Sequence, residues 1–375
     1  MKKVFALILA VMMLSGCVPH TELDRLAIAE AVGVDFENGI YTVTVQYFNT
    51  DSSGGVTAVD STAPNATVAE GKGKTIESAL EALSYKTGRS ITIGAATVMV
   101  FGESALFSLE DALRLAASHY SGNLRADIAA ARGKASDVMN VRFKEGNASV
   151  EKLEDMLCNA EELGLTRRIK MYEVSEKLCG ETKSVVLPLF QAYSGGSELT
   201  EDGSGVIIAG GALFTGGEFA RELSVREMSG LAMLDPAPES IRNCEMTLSY
   251  MGEDTRVMLY KVKPHITPRF EGGKLAADIE ITADCKIVST SISDPYEHRE
   301  GIERVCAEEA VSRVSELVSR TFAGNGADIS GLGYVINAHS PALWSAVVSD
   351  CRSALKAAEY NVTADIRMER YGVVR

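Results

Sequence analysis

The chain has 375 residues, with 51 acidic and 37 basic side chains and a formal net charge of −14 at pH 7. A surface this acidic disfavours nucleic acid, whose phosphates require basic side chains, and it disfavours direct docking on anionic lipid. The length is enough for two or three domains, each with its own hydrophobic core.

The first 17 residues have the pattern of a bacterial export signal that ends in a lipid-modified cysteine. Two lysines precede an apolar run at residues 4–14, which is too short to span a bilayer but suits a secretory signal. Leu14-Ser15-Gly16-Cys17 then resembles a lipobox, with small residues at the cleavage site and a thiol for lipid transfer. We predict a signal peptide over residues 1–16 and a covalent diacylglycerol on Cys17, whose two acyl chains would anchor the protein stably. The alternative is an ordinary signal peptide followed by a chance cysteine.

The region that follows predicts alternating strands and helices. Residues 41–47 alternate apolar and polar side chains, which is typical of a half-buried strand. Residues 50–73 are rich in Thr, Ser, Gly and Ala and predict a long surface loop. Thr75 is the predicted N-cap of a helix that ends at Gly88. The further predicted elements are a strand at 96–101, a helix capped by Ser108 and Asp111, and a strand at 127–131. This order predicts α/β layering.

Beyond residue 150 the predicted elements are again a mixture of helices and strands. They are helical residues 150–180, a strand at 184–190, a hairpin at 205–214 that turns at Gly210-Gly211, and strands at 242–250 and 256–263. Residues 275–289 predict one longer strand or a pair of strands, and helices at 299–322 and 328–338 and a strand at 361–369 follow. The glycine-rich residues 194–204 predict a domain boundary. We predict an α/β (mixed α+β) body of mixed sheets and packed helices. No other apolar run approaches 20 residues, so the lipid is the predicted membrane attachment.

The cysteines after Cys17 leave two alternatives open. They are Cys158, Cys179, Cys244, Cys285, Cys306 and Cys351. An even number in an exported protein is compatible with disulfides, whereas the wide, irregular spacing favours buried free thiols equally well.

Motifs for catalysis or cofactor binding are absent from the sequence. Residues 71–75 (Gly-Lys-Gly-Lys-Thr) differ from a phosphate-binding loop, because Val68 stands where that loop needs its first glycine. No two of the five histidines have the i, i+4 spacing of a metal-binding helix; they are His20, His119, His265, His298 and His339. No nucleophile elbow occurs either. We therefore predict no catalytic, metal or cofactor site, and the one predicted modification is the lipid on Cys17.

Several short motifs nevertheless share their order and spacing with one known family over nearly the whole chain after Cys17. They lie at residues 22–28, 32–35, 73–80, 93–94, 98–103, 133–137, 328–333 (Asp-Ile-Ser-Gly-Leu-Gly), 340–344 (Ser-Pro-Ala-Leu-Trp) and 370–372. Each motif is weak alone, but together with the lipobox they resemble the Ger(x)C family, the lipoprotein C subunits of nutrient germinant receptors in bacterial endospores.

The resemblance implies a three-domain α/β fold, for which we place the domains at 18–195, 203–262 and 263–375. It also implies a non-catalytic role in receptor assembly and germination signalling. It implies as partners an A subunit and a transporter-like membrane B subunit, at the spore inner membrane. From the residues alone, we expect Gly33 and Asp35 to shape a strand turn, Gly331 and Gly333 to allow close packing, and Trp344 to lie in the core. A substrate-binding lipoprotein of a membrane transporter is the alternative function, and it would require two similar lobes. A lipid-anchored hydrolase is a third, for which no nucleophile or metal motif is present.

Overall fold

The computed structural model describes residues 25–48, 66–108, 122–144, 149–200, 202–235, 243–271 and 274–369. The predicted signal peptide, Cys17, the helix after Ser108 and the motif at 370–372 lie outside these residues. Within them the chain forms two β-sheets with helices packed on both, which confirms the predicted mixed α+β class.

The N-terminal sheet has nine strands. They are β1 (Leu26–Glu37), β2 (Ile40–Phe48), β3 (Ala66–Gly73), β4 (Ser90–Thr92), β5 (Val98–Gly102), β6 (Asp127–Arg132), β7 (Val185–Tyr193), β8 (Gly205–Thr215) and β9 (Glu218–Leu223). The order is β3-β2-β1-β5-β6-β7-β8-β9, and β4 also pairs with β1. The central strands β1, β5, β6 and β7 run parallel, whereas the outer strands on both sides are antiparallel.

Helices cover both faces of this sheet. They are α1 (Ile76–Thr87), α2 (Ala135–Met139), α3 (Ser149–Glu162), α4 (Met171–Cys179) and α5 (Val225–Leu234), and a 3-10 turn lies at Glu103–Ser108. The apolar residues of α1 and α4 join one core, while those of α2 and α3 join a second core on the opposite face. Helix α1 confirms its prediction: the Thr75 hydroxyl accepts the N–H of Ser78 at 3.1 Å, and Gly88 ends the helix with a φ of 69°.

The C-terminal sheet has four strands in the order β10-β11-β12-β13. They are β10 (Cys244–Tyr250), β11 (Glu253–Glu271), β12 (Lys274–Thr290) and β13 (Glu359–Met368). The last two are parallel, and the connection between them carries the remaining helices. These are α6 (Arg299–Val318), a π-helical turn (Ser319–Ala323), α7 (Leu332–His339), α8 (Pro341–Val347), a 3-10 turn (Val348–Asp350) and α9 (Cys351–Ala357).

The two sheets share a core. Val186 of β7 and Leu213 of β8 belong to the same buried cluster as the C-terminal sheet, and α5 packs against α6 within it. Residues 194–204, the predicted boundary, connect β7 and β8, which are neighbours in one sheet. The three domain limits stay a prediction.

The prediction of a loop over residues 50–73 is wrong for its last part. Residues 66–73 form β3, which pairs with β2 along its whole length. Their small side chains have a packing reason, because a Cβ on Gly71 would lie 2.1 Å from the carbonyl oxygen of Ala79 in α1. The small side chains that suggested a loop therefore allow α1 to approach β3 closely.

The predicted hairpin at residues 205–214 is also wrong. The segment is the single strand β8, and the register against β7 shifts beside Gly210, which has a φ of 133°. A Cβ on Gly210 would lie 2.0 Å from the carbonyl oxygen of Leu223, and one on Gly211 would meet the Sδ of Met228 at 2.4 Å. The glycine pair thus lies at an irregular position of β8, where β9 and α5 pack closely against the strand.

A candidate cleft between the two sheets

The motif at residues 328–333 builds one wall of a cleft. The carboxylate of Asp328 accepts the N–H of Leu332 at 2.8 Å and that of Gly333 at 2.7 Å, and thereby holds the first turn of α7. Burial raises the pKa of Asp328, and these bonds act against that rise because they favour the charged form. Gly331, with a φ of 79°, permits the left-handed turn before the helix.

Trp344 lies on the same wall. The hydroxyl of Ser340 caps α8, which begins at Pro341. The Trp344 ring then lies against Gly333, where a Cβ would be 3.0 Å from two ring carbons. Trp344 is half-buried and packs against the C-terminal core while it also lines the cleft. The close packing expected at Gly333 is therefore its contact with the Trp344 ring.

The facing wall comes from α4 and the chain just before and after it. Arg167 Nε lies 3.0 Å from a carboxylate oxygen of Asp235, and the Arg167 guanidinium lies 3.7 Å from Glu173. Lys177 is half-buried, and among the described residues it has no ion pair. Burial and the neighbouring Arg167 lower the pKa of Lys177, while Asp328 and Asp235 oppose that shift.

Together these walls enclose a volume of about 420 Å³. Lys177 supplies an ammonium group, the exposed Glu176 and Glu181 supply carboxylates, and Trp344 with Tyr334 supplies aromatic surface. The arrangement combines both charges with an apolar wall. It lies where the N-terminal α4 meets the C-terminal α7 and α8.

A second cavity of about 470 Å³ lies between α5, α6 and strands β10 and β11. Its arginines are neutralised within its own wall: Arg313 binds Glu309 at 2.7 Å and the Ser229 hydroxyl at 2.7 Å, Arg226 also binds Glu309, and Arg256 binds Glu245. The arginine side chains of this cavity are therefore already paired, whereas Lys177 of the cleft has no ion pair with a described residue.

Gly33 and Asp35 have roles other than the expected strand turn. The turn after β1 is formed by Asn38 and Gly39. The Asp35 carboxylate instead accepts the N–H of Ala135 at 2.8 Å and that of Ser136 at 3.1 Å, and so caps α2. A Cβ on Gly33 would meet the Met139 side chain at 3.0 Å, so this glycine makes room for α2.

Arg167 and Lys177 belong to none of the motifs in the sequence. A signal was present for Lys177, since it lies three residues after Val174 and next to Leu178 on the apolar face of α4. A lysine in that position is half-buried once the helix packs, but the sequence does not show what it faces. Arg167 belongs to an irregular segment and had no such signal.

The six described cysteines are free thiols. Cys244, Cys285, Cys306 and Cys351 are buried, and Cys158 is half-buried, whereas Cys179 is exposed. A hydrogen bond with Cys285, together with burial, raises the pKa of the Cys306 thiol. In the part of the chain that the structure describes, no group of three or more His, Cys, Asp or Glu side chains could hold a metal ion, and no helix is long and apolar enough to cross a membrane.

Comparisons with known proteins give consistent results. A family model described as the spore germination protein N-terminal domain matches residues 19–192. One described as the spore germination B3/GerAC-like C-terminal domain matches residues 209–372. No curated protein matches the chain.

A solved structure described as the crystal structure of the GerBC protein superposes with a TM-score of 0.57 at 16% identity, over 93% of this chain and 100% of that chain. At this identity the likeness shows a common fold. The two family models, in order, account for nearly the whole chain after Cys17. The chain belongs to the GerAC-like family of spore germination proteins.

Proposed function

We propose that this protein is a non-catalytic lipoprotein subunit of a spore nutrient germinant receptor. Its role is receptor assembly and germination signalling at the membrane. The observation that carries the proposal is the order of the motifs: a lipobox ends at Cys17, and the matches to the two spore germination domains follow at residues 19–192 and 209–372.

Attachment in this proposal depends on a diacylglycerol on Cys17, which holds the body on the outer face of the spore inner membrane. The partners are the A subunit and the transporter-like B subunit of the receptor. The net charge of −14 supports protein partners over nucleic acid.

The polar groups of the cleft support a non-catalytic role. Asp328 is committed to two backbone N–H groups, and Arg167 is committed to Asp235 and Glu173. The first set of bonds holds the start of α7, and the second ties the segment before α4 to Asp235 at the end of α5. These groups therefore have structural partners within the protein.

A substrate-binding lipoprotein of a transporter is the second candidate. The observation that favours it is the cleft, in which Lys177 has no ion pair with any residue that the structure describes. That class of protein closes two similar lobes on a ligand. In the described part of this chain the two sheets have nine and four strands and different topologies, which favours the receptor subunit.

The test is germination of purified spores, followed as loss of refractility in mixed nutrients. We expect the gene deletion and Cys17→Ala to slow germination while vegetative growth is unchanged, because the unanchored body would leave its membrane partners. Cys179→Ala is the matched control, since this exposed cysteine lies far along the chain from the lipobox. Normal germination of the deletion strain, together with a defect in vegetative nutrient uptake, would overturn the proposal in favour of the transporter lipoprotein.

A further inference from the structure

We propose that one end of the N-terminal sheet rests on the membrane to which the chain is anchored and contacts its anionic lipid headgroups. This is the end at which β1, β4, β5 and β6 begin, and its surface includes Leu124, Arg125 and Tyr172. The inference rests on the proposed lipid at Cys17. It extends that proposal, because it states which surface of the body faces the bilayer.

Several chain segments meet at this end of the sheet. Strands β4 and β5 both run parallel to β1, and β6 begins opposite the first residue of β5. The turn before β6 is held there by Asn123, whose side-chain amide donates to the carbonyl of Ala96 at 2.9 Å. Helix α4 begins beside this turn, since the N–H of Tyr172 donates to the carbonyl of Leu124 at 3.1 Å. Leu124 and Tyr172 therefore lie close together at this end.

The chain between Cys17 and Arg25 limits how the body can be oriented. Arg25 lies directly before β1, and the eight residues from Cys17 to Arg25 span at most about 29 Å when fully extended. Strand β1 has 12 residues and is about 36 Å long. If β1 stood with its other end, at Glu37, on the membrane, Arg25 would lie farther from the bilayer than the chain from Cys17 can reach. Of the two ends of the sheet, the one beside Arg25 therefore faces the lipid.

The exposed side chains of this end suit a membrane–water interface. Leu124 is 49% exposed and Tyr172 is 52% exposed, although both carry a large apolar surface. Tyrosine is enriched at the level of the lipid headgroups, where its ring has an apolar environment and its hydroxyl reaches water. Contact with lipid would remove the apolar surface of both side chains from water, which is favourable.

The charge of this end differs from the net charge of −14 of the whole chain. Arg125 is exposed and forms no ion pair with a residue that the structure describes. Arg25 and Arg89 directly precede the paired strands β1 and β4. Asp127, at the start of β6, is buried and already binds Arg168 at 2.6 Å. The end is therefore locally basic, and arginine side chains near a membrane are attracted to anionic headgroups.

A single tryptophan can report the contact, because the chain has only one of its own, Trp344. In a Trp344→Phe protein, Leu124→Trp places the reporter at this end. Asp137→Trp is the matched control, since Asp137 is exposed on α2, which follows the opposite end of β6. The full-length proteins would be reconstituted in vesicles of phosphatidylcholine and anionic phosphatidylglycerol, with and without bromine on the acyl chains, which quenches tryptophan emission on contact. Mass spectrometry of the N-terminal peptide would verify the lipid on Cys17, and the melting temperature would verify the fold of each variant.

We expect brominated lipid to quench the Leu124→Trp reporter at least about twofold more than the Asp137→Trp reporter, because interfacial side chains insert into the boundary between headgroups and acyl chains. Adding Arg125→Gln should reduce this quenching in vesicles that contain phosphatidylglycerol, whereas Arg142→Gln, at an exposed arginine beyond α2, should not. Equal quenching of the two reporters in lipidated protein would overturn the orientation, would favour a protein partner on this surface, and would leave the anchor intact. A Cys17 without lipid would instead overturn the proposed anchor, and this inference with it.

Discussion

At the scale of single residues, two carboxylates do the same structural work in separate parts of the chain. Asp35 caps α2 and Asp328 holds the first turn of α7, and each binds two backbone N–H groups. Burial raises the pKa of both carboxyls, against the effect of those bonds. Both positions therefore have a structural explanation that requires no ligand.

Asp35→Ala should reduce the free energy of unfolding by about 2 to 4 kcal/mol, because it leaves the N–H groups of Ala135 and Ser136 buried without a partner. Urea denaturation measures the change. Asp137→Ala, an exposed change on the same helix, is the control and should cost less than about 1 kcal/mol. Equal losses in the two variants would contradict the capping role.

The lowered pKa of Lys177 predicts that the stability of the protein depends on pH. Burial lowers its pKa in the folded state, so the folded protein binds this proton less tightly than the unfolded chain does. The contribution of Lys177 to the free energy of unfolding should therefore rise with pH, from the lowered pKa up to the ordinary value of about 10.4.

Melting temperatures of wild type, Lys177→Met and Lys74→Met over this range test that dependence; Lys74 is an exposed lysine that does not line the cleft. The wild type and Lys74→Met should gain stability with pH relative to Lys177→Met. Parallel curves for all three would show that Lys177 does not titrate differently in the folded state.

At the scale of elements, helices with a regular apolar stripe and clear caps were predictable, and glycine-rich segments were not. Helix α1 follows its prediction, because the 3.6-residue period and the cap at Thr75 are local properties of the sequence. The long α6 begins at Arg299 as predicted and ends at Val318, where a π-helical turn continues the chain to Ala323. Strands β3 and β8 were missed because small residues are typical of loops as well as of strands beneath a close neighbour. A single sequence does not distinguish a loop from such a strand, because the element that packs on the strand is distant along the chain.

Gly210→Ala tests the corrected description of β8. With a φ of 133° and the carbonyl oxygen of Leu223 only 2.0 Å from a Cβ, the variant should lose at least about 2 kcal/mol of unfolding free energy in urea denaturation. Gly324→Ala is the control, because Gly324 has ordinary helical dihedral angles, and it should change stability little. A loss no larger than in the control would indicate that β8 tolerates a side chain there, as a hairpin turn exposed to solvent would.

At the scale of the whole molecule, the fold class and the family were predictable, and the junction between the sheets was not. The order of motifs along the chain carries the family signal. The cleft combines Lys177 from the N-terminal region with Asp328 and Trp344 from the C-terminal region, and no local pattern relates them. The shared core and the backbone bond from the N–H of Glu245 to the carbonyl of Leu163, at 3.0 Å, join the two regions physically.

We propose above that this protein works as a lipid-anchored subunit of a membrane receptor. The most direct measurement is affinity purification of the endogenous, C-terminally tagged protein from detergent-solubilised spore inner membranes, with mass spectrometry of the bound proteins and with Cys17→Ala as the comparison. We predict that the germinant-receptor A and B subunits co-purify with the wild type and are depleted with Cys17→Ala. Recovery of neither subunit with the wild type, or recovery of a nutrient transporter in their place, would contradict the account.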